Sequence, residues 1–192
     1  YNGYYTDYAD ESKCNDKDDN LILLVGRVSS EADFLRKGHD IFIEAAKRLP
    51  QYKFIIVGIS GKLKEYAITK YSADKATNLE IRGGLNQDEL KALYQKAKVI
   101  AQPSISEGMP NTLCEAMLHK CIPVGSNVNG IPLAIGETGV VFDKRDPDLL
   151  VEAIKRAIAM NSGNLARDRI LKEFCYEKRE SAIVSIIRRI QC

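Results

Sequence analysis

The chain has 192 residues, of which 45% are hydrophobic and 28% are charged, and its formal net charge is +2. This size suits one ordinary hydrophobic core, and the near-neutral charge gives no support to a general nucleic-acid-binding surface. No apolar run approaches the roughly eighteen residues that a bilayer span needs, and residues 1–20 are too polar for a signal peptide. The sequence therefore predicts a single soluble domain.

The cysteine pattern favours reduced thiols. The five cysteines include no Cys-x-x-Cys pair, and only two histidines accompany them, so metal-ligand spacing is absent. We expect a cytoplasmic protein that uses no metal. Cys114 lies in a helical pattern, where a small buried side chain is a more common role than a reactive thiol.

Short apolar strands alternate with helical patterns along the chain. The strands are expected at 21–25, 54–57, 79–81, 99–102, 122–125 and 140–142. Asn86 followed by Glu89 predicts a capping box, and Asp146-Pro147 predicts a helix start. Residues 127–136 are expected to form a loop. This alternation predicts an α/β fold, a Rossmann-like, doubly wound parallel sheet of about six strands.

We divide the chain into three parts: 1–19, a linker or mobile arm; 20–160, the Rossmann-like domain; and 161–192, two C-terminal helices. The last of these helices carries an apolar stripe, formed by Ile183, Ile186, Ile187 and Ile190. Such a stripe predicts a partner surface, either within the same polypeptide or in a homodimer through the C-terminal helix.

The most informative segment is a strand-to-helix turn that carries two carboxylates. Glu107 falls in the turn after the fourth strand, and Glu115 falls in the second turn of the helix that begins after Pro110. In open α/β sheets such turns bind ligands, and a helix N-terminus offers N–H groups to phosphate. The spacing alone is weak evidence, because thirteen glutamates give about one such pair by chance.

In its context, 103–117 resembles the donor-binding signature of retaining glycosyltransferases with the GT-B fold, the large family often called glycosyltransferase family 4. Further resemblance runs through residues 20–160, at Val57-Gly58, Ile81-Arg82-Gly83, Asp88-Glu89-Leu90, Gly130-Ile131-Pro132 and Thr138-Gly139. Residues 1–4 are similar to a segment that follows the interdomain crossover in these enzymes. The resemblance implies that the chain is the C-terminal, donor-binding half of a GT-B fold.

The resemblance gives the two carboxylates different tasks. Glu115 would accept hydrogen bonds from ribose hydroxyls, since a carboxylate is a strong acceptor. Glu107 would face the donor sugar and steady positive charge at its anomeric carbon. Backbone N–H groups would meet sugar and phosphate oxygens; these belong to Gly108, Met109, Asn111 and Thr112.

The resemblance also gives a role to cations near the first strand. Arg27 and Lys37 fall on positions that hold the diphosphate of the donor, so we assign catalysis to Arg27, Lys37 and Glu107. A departing nucleoside diphosphate gains negative charge, which placed cations and N–H donors stabilise without a metal. Arg82 is a candidate neighbour of the nucleotide base, although a surface position would explain it equally well.

Two departures from the family pattern stand out. The loop between Arg27 and Lys37 is several residues longer than in relatives, so that Arg36 is an alternative to Lys37 or the loop covers the donor. Leu133-Ala134-Ile135 stands where many relatives carry an acidic residue, which removes one expected sugar contact.

The implied function is transfer of a hexose, with retention, from a UDP-, GDP- or ADP-linked sugar to a saccharide, lipid or polymer acceptor. The acceptor would bind to an N-terminal domain that this chain lacks, and the complete protein would be cytoplasmic or peripheral to a membrane. We expect the isolated chain to bind donor weakly and to transfer nothing.

Other functions fit this fold. A dinucleotide-dependent oxidoreductase is disfavoured, because Gly26-Arg27-Val28-Ser29 contains no Gly-x-Gly-x-x-Gly. A glycosidase needs one carboxyl group with a raised pKa, and nothing in the sequence indicates one. A non-catalytic nucleotide-binding module and a nucleotide-sugar epimerase stay open as alternatives.

Overall fold

A computed structural model gives the fold, and it describes residues 3–4, 11–14 and 16–190 of the chain. Six parallel strands form one sheet in the order β3-β2-β1-β4-β5-β6. The strands are β1 Asp18–Val25, β2 Lys53–Val57, β3 Leu79–Arg82, β4 Ala97–Gln102, β5 Ile122–Ser126 and β6 Val140–Phe142. The predicted Rossmann-like fold class is confirmed. The direction of winding changes between β1 and β4, and at such a switch point ligands bind outside the carboxyl ends of the strands.

Nine α-helices are found within the described ranges. They are α1 Glu31–Arg36, α2 His39–Arg48, α3 Lys62–Tyr71, α4 Gln87–Lys96, α5 Asn111–Leu118, α6 Gly130–Ile135, α7 Pro147–Ala159, α8 Gly163–Glu173 and α9 Tyr176–Ile190. The capping box of α4 is present, with Asn86 accepting from the N–H of Glu89 at 2.9 Å. Asp146 caps α7 through the N–H of Asp148 at 2.8 Å. Both predicted helix starts are therefore confirmed.

The inner strands β1, β2, β4 and β5 are buried on both faces over most of their length, so their sequences are largely continuous apolar runs rather than alternating ones. Ile22 and Leu24 of β1 join a core with residues of α1, α2, α3 and α7. Leu21, Leu23 and Val25 of the same strand join a second core with residues of α4, α5, α6 and α8. Helices thus cover both faces of the sheet, as in doubly wound folds.

The segment 127–136 was predicted to be a loop, and this prediction is wrong for most of it. Helix α6 forms because Ile131, Ala134 and Ile135 recur at helical spacing and are fully buried. Pro132 is compatible with this helix because it stands in the first turn, where its missing N–H has no intrahelical acceptor. Gly125 of β5 leaves room for the helix, since a Cβ there would lie 2.4 Å from Ile131.

The N-terminal part of the chain is only partly described. Within the predicted arm, β1 begins at Asp18, Cys14 is buried, and the Lys17 ammonium donates to the carbonyl of Tyr94 at 2.8 Å. Of the segment 1–4, where a similarity was noted, only residues 3 and 4 are described. Residues 5–10 and Cys192 lie wholly outside the described residues. The three-part division of the chain stays a prediction.

Helix α9 buries none of its side chains, and its stripe of isoleucines is exposed, with Ile190 at 78%. Across the described ranges, no helix has the length and apolarity needed to cross a bilayer. The homodimer contact through the α9 stripe stays a prediction.

Candidate donor-binding site

The candidate site lies at the carboxyl ends of β1 and β4. The ends of β1 and β2 approach closely, because Gly58 has a φ of +109° and a Cβ there would lie 2.4 Å from the carbonyl oxygen of Gly26. Gly26 in turn lets the Lys37 side chain pass over the end of β1, since a Cβ at Gly26 would lie 3.2 Å from Lys37 Cδ. Gly58 thus lets the two strand ends approach, and Gly26 leaves the space that the Lys37 side chain occupies.

Gly38 brings this cation to the turn that follows β4. It has a φ of +75°, and a Cβ at this position would lie 2.1 Å from the carbonyl oxygen of Pro103. Next to it, the N–H of Ile105 donates to the carbonyl of Arg36 at 2.7 Å. Only glycine satisfies both the positive φ and the close approach. The junction of α1 and α2 is therefore docked directly on the turn that carries Glu107.

The loop between Arg27 and Lys37 contains a helix that the sequence pattern did not indicate. Ser30 is the N-cap of α1, and its hydroxyl accepts from the N–H of Asp33 at 3.1 Å. Phe34 anchors the helix in the core, where it is fully buried. The extra length is therefore folded, and it ends with Arg36 beside the site.

Glu107 receives two cations on one oxygen. Lys37 Nζ lies 3.1 Å from Glu107 Oε1, and the guanidinium of Arg36 lies 3.3 Å from the same oxygen. The side chains of Lys37 and Glu107 are each only 17% exposed, whereas that of Arg36 is 39% exposed. Partial burial strengthens such pairs relative to fully exposed ones. The structure thus joins Lys37 to a carboxylate that is distant from it in sequence.

Helix α5 supplies the other side of the site. The Thr112 hydroxyl donates to the carbonyl of Val25 at 3.2 Å, which fixes the first turn of α5 on the end of β1. Pro110 is the N-cap and offers no side-chain acceptor. Among the described residues, the N–H groups of Gly108, Met109 and Thr112 have no protein acceptor. This helix start can therefore bind an anion.

Glu115 is partly buried in the second turn of α5. The hydroxyl of Tyr94, a buried residue of α4, donates to Glu115 Oε2 at 3.5 Å. This contact is long for an O–H···O bond, so it orients the carboxylate weakly. The backbone carbonyl of Glu115 faces Nδ1 of His119 at 2.8 Å, one helical turn later.

The structure also separates candidates that the sequence grouped together. Arg27 is exposed at the end of β1, and within the described residues it contacts neither Glu107 nor Glu115. Arg82 lies at the end of the edge strand β3 and is paired with Glu80 at 2.7 Å. Asn111 is exposed at the start of α5, and its side chain accepts from the Tyr4 hydroxyl at 3.4 Å. The roles of Arg27, Arg82 and Asn111 stay predictions.

Cys114 has no sign of reactivity. It is fully buried in α5, and burial raises the pKa of its thiol to about 12. Since the thiolate is the reactive form, the thiol is inert at neutral pH. Its expected role as a small buried side chain is confirmed. Among the described residues, no group of His, Cys, Asp and Glu could hold a metal ion.

Comparison with known proteins decides the family. Residues 8–173 match the family described as Glycosyl transferases group 1. The chain belongs to this family. A curated relative, the D-inositol 3-phosphate glycosyltransferase of Mycobacteroides abscessus, is 26% identical over an alignment of 160 residues, and the match covers 78% of this chain and 34% of that protein. This member of the family thus spans about a third of the length of that relative.

Solved structures agree with the fold. Sucrose-phosphate synthase from Thermosynechococcus elongatus has a TM-score of 0.78 and 21% identity, covering 98% of this chain and 51% of that one. Anabaena HepE, solved in complex with UDP-glucose, has a TM-score of 0.77 and 17% identity, covering 98% and 56%. The predicted match to one half of GT-B glycosyltransferase structures is confirmed at the level of the fold.

Proposed function

We propose that this chain is the nucleotide-sugar-binding half of a glycosyltransferase. The observation that carries the proposal is the ion pair of Lys37 with Glu107, formed beside the uncapped start of α5 at the switch point of the sheet. This geometry brings a cation, backbone N–H groups and two carboxylates to one edge of the domain. It suits a ligand that has a diphosphate flanked by hydroxyl-bearing sugars.

In this proposal the diphosphate binds between Lys37 and the first turn of α5. The Lys37 ammonium has three donors, and one bond to Glu107 leaves two for phosphate oxygens. The N–H groups of Gly108, Met109 and Thr112 add neutral donors on the opposite side. Arg27 is exposed nearby and would approach the phosphates from the rim. These donors stabilise the charge that the leaving nucleoside diphosphate acquires, without a metal.

The two carboxylates would bind the sugars on either side of the diphosphate. Glu115 would accept from the ribose hydroxyls. Glu107 would accept from hydroxyls of the donor hexose through Oε2, because among the described residues only Oε1 is engaged. An ionised Glu107 would also stabilise positive charge at the anomeric carbon during transfer.

Catalysis would require more protein than this chain contains. The chain spans about a third of the M. abscessus relative and about half of each solved structure described above. We propose that the acceptor, a saccharide, lipid or polymer, binds to another domain, and that the hexose is transferred with retention as in family 4. The present chain would bind donor and transfer nothing.

The setting of the complete protein is also a proposal. Within the described ranges Cys14, Cys114, Cys121 and Cys175 form no disulfide, which fits a reducing compartment such as the cytoplasm. The exposed isoleucines of α9 fit contact with another domain of the same polypeptide or with a second copy, and a lipid acceptor would bring the protein to a membrane surface.

Calorimetric titration tests the proposal. UDP, GDP and ADP are titrated into the chain, each alone and as its glucose conjugate. We expect saturable binding of at least one pair, without added metal. The matched variants Lys37→Ala and Lys155→Ala separate site binding from general charge, since Lys155 pairs with Glu152 on the surface of α7. Absence of saturable binding at millimolar concentration contradicts the proposal.

A further inference from the structure

We infer that Arg36, supplied by the unanticipated helix α1, is a positioning residue that holds Glu107 for recognition of the donor sugar. The inference rests on the proposed function, because it names how one carboxylate of that site is placed. The turn that carries Glu107 is irregular and lies outside any helix or strand. Its geometry must therefore be set by contacts from other segments.

Arg36 makes these contacts through both its backbone and its side chain. Its carbonyl accepts from the N–H of Ile105 at 2.7 Å. Its guanidinium donates to the carbonyl of Ser106 at 3.0 Å and to Glu107 Oε1 at 3.3 Å. Three consecutive residues of the turn are thus attached to one arginine. A planar guanidinium suits this task, because its donors have fixed directions.

The guanidinium is itself held from α1. Its other terminal nitrogen donates to Asp33 Oδ1 at 3.2 Å, and Asp33 Oδ2 accepts from the hydroxyl of Ser29. The hydrogen bond from Ser29, followed by that from Arg36, holds the pKa of the Asp33 carboxyl below its usual range. Asp33 therefore stays ionised at neutral pH and keeps Arg36 in place.

The number of protein acceptors that hold each side chain separates the roles of the two cations. Both terminal nitrogens of Arg36 are engaged with protein acceptors, whereas Lys37 makes a single side-chain bond within the described residues, to Glu107. Each cation keeps two N–H donors, but the Arg36 guanidinium is held by acceptors on both terminal nitrogens, whereas the Lys37 ammonium is held at one point and can turn its other two donors to a phosphate. Because both cations bind Oε1, they leave the second oxygen of Glu107 for the ligand. This assigns phosphate binding to Lys37 and the orientation of Glu107 to Arg36.

The test compares two ligands in four proteins. The ligands are the nucleoside diphosphate that binds tightest among UDP, GDP and ADP, and its glucose conjugate. The proteins are wild type, Arg36→Gln, Glu107→Gln and the double variant. In Arg36→Gln we expect the ratio of the two dissociation constants, conjugate over nucleotide, to rise about fivefold to tenfold. The affinity for the nucleotide alone should change less than about twofold.

The double-mutant cycle gives the decisive readout, since a residue that acts through Glu107 has no further effect once Glu107 is changed. We expect the double variant to match Glu107→Gln in its ratio. Arg48→Gln is the matched control, because Arg48 is 41% exposed and pairs with Asp148 away from the site. Thermal melting of each variant verifies folding.

The possible results separate three roles of Arg36. An unchanged ratio in Arg36→Gln, or additive effects in the double variant, overturns the positioning role and leaves the proposed function intact. An equal loss of affinity for both ligands makes Arg36 a phosphate-binding residue and also overturns it. If wild type binds none of the ligands, the proposed function fails and the inference fails with it.

Discussion

The two carboxylates of the candidate site are held in opposite ways. Glu107 lies in an irregular turn and depends on side chains from a distant segment, Arg36 and Lys37. Glu115 lies in a regular helix whose neighbouring residues are buried, and its contact with the Tyr94 hydroxyl is long. Packing of α5 therefore fixes the backbone of Glu115, whereas a few polar contacts and one glycine fix the irregular turn that carries Glu107. Single substitutions should therefore change the position of Glu107 more easily than that of Glu115.

The largest effect is expected at Gly38. Gly38→Ala should lower the free energy of unfolding by about 2–4 kcal/mol, because the new Cβ adds steric overlap with Pro103 to the cost of a positive φ. Denaturant titration measures this loss. Gly84→Ala is the control, since a Cβ there meets nothing within 4 Å. Equal stability of the two variants would refute the idea that Gly38 docks α1 and α2 on the turn.

The second effect separates the carboxylates by ligand. Glu115→Ala should weaken binding of the nucleoside diphosphate by about 1.5–3 kcal/mol, because charge-assisted hydrogen bonds to ribose are lost. Glu107→Ala should change the same affinity by less than about threefold, since no ribose contact is assigned to it. Calorimetry on both variants checks this, with Glu152→Ala as a surface control. Indistinguishable losses in the two variants would remove the assignment of ribose to Glu115.

The third effect is a pH dependence of folding stability that comes from a histidine next to Gly38, the glycine that docks on the turn of Glu107. His39 follows Gly38 and is fully buried, and burial lowers its pKa to about 3 from the usual value near 6.5. Below pH 6.5 this histidine binds a proton in the unfolded chain but not in the folded chain. The contribution of the neutral, buried His39 to stability is therefore fully present above about pH 7.5 and is lost as the pH decreases toward 3. Between pH 7 and pH 5 we expect a loss of about 1–2 kcal/mol from this group.

Denaturant unfolding of wild type and His39→Gln at the two pH values isolates this contribution. The variant should lose less stability between pH 7 and pH 5 than wild type, because glutamine does not titrate in either the folded or the unfolded state. The same loss in both proteins would show that His39 takes no part in the pH dependence.

The smallest effect is expected at Tyr94. Tyr94→Phe removes the hydroxyl that contacts Glu115, and at 3.5 Å this bond contributes little. Nucleoside-diphosphate affinity should fall by about 0.5 kcal/mol, roughly twofold. A tenfold loss in calorimetry would mean that Glu115 needs side-chain support as Glu107 does, and the contrast between the two carboxylates would disappear.

The regular parts of this fold could be predicted from sequence because their signals are local. The strands are runs of buried apolar residues, and the caps at Asn86 and Asp146 act over two or three residues. The start of β1 was placed too late, at Leu21, because Asp18 to Asn20 are polar and exposed while still part of the strand. Helix α6 was missed because Asn127, Gly130 and Pro132 are typical turn residues, and their signal outweighed a short apolar stripe.

The site was predictable only in part, for a related reason. Glu107 and Glu115 stand in a recognisable local segment, and Lys37 was identified by resemblance. That Lys37 would reach Glu107, whereas Arg27 would stay exposed, depends on how Gly26 and Gly38 let distant segments approach. The sequence indicates Arg36 only as an alternative to Lys37. Its contacts require helix α1, whose six residues give too short a pattern to stand out.

The most direct test is a crystal structure of this chain with the glucose conjugate of UDP, GDP or ADP that binds tightest in calorimetry. We expect the diphosphate to lie between Lys37 and the N–H groups at the start of α5, the ribose to bind Glu115, and a hydroxyl of glucose to bind Oε2 of Glu107. A ligand bound at the amino ends of the strands, for example beside Lys98 and Lys120, would contradict the proposed site.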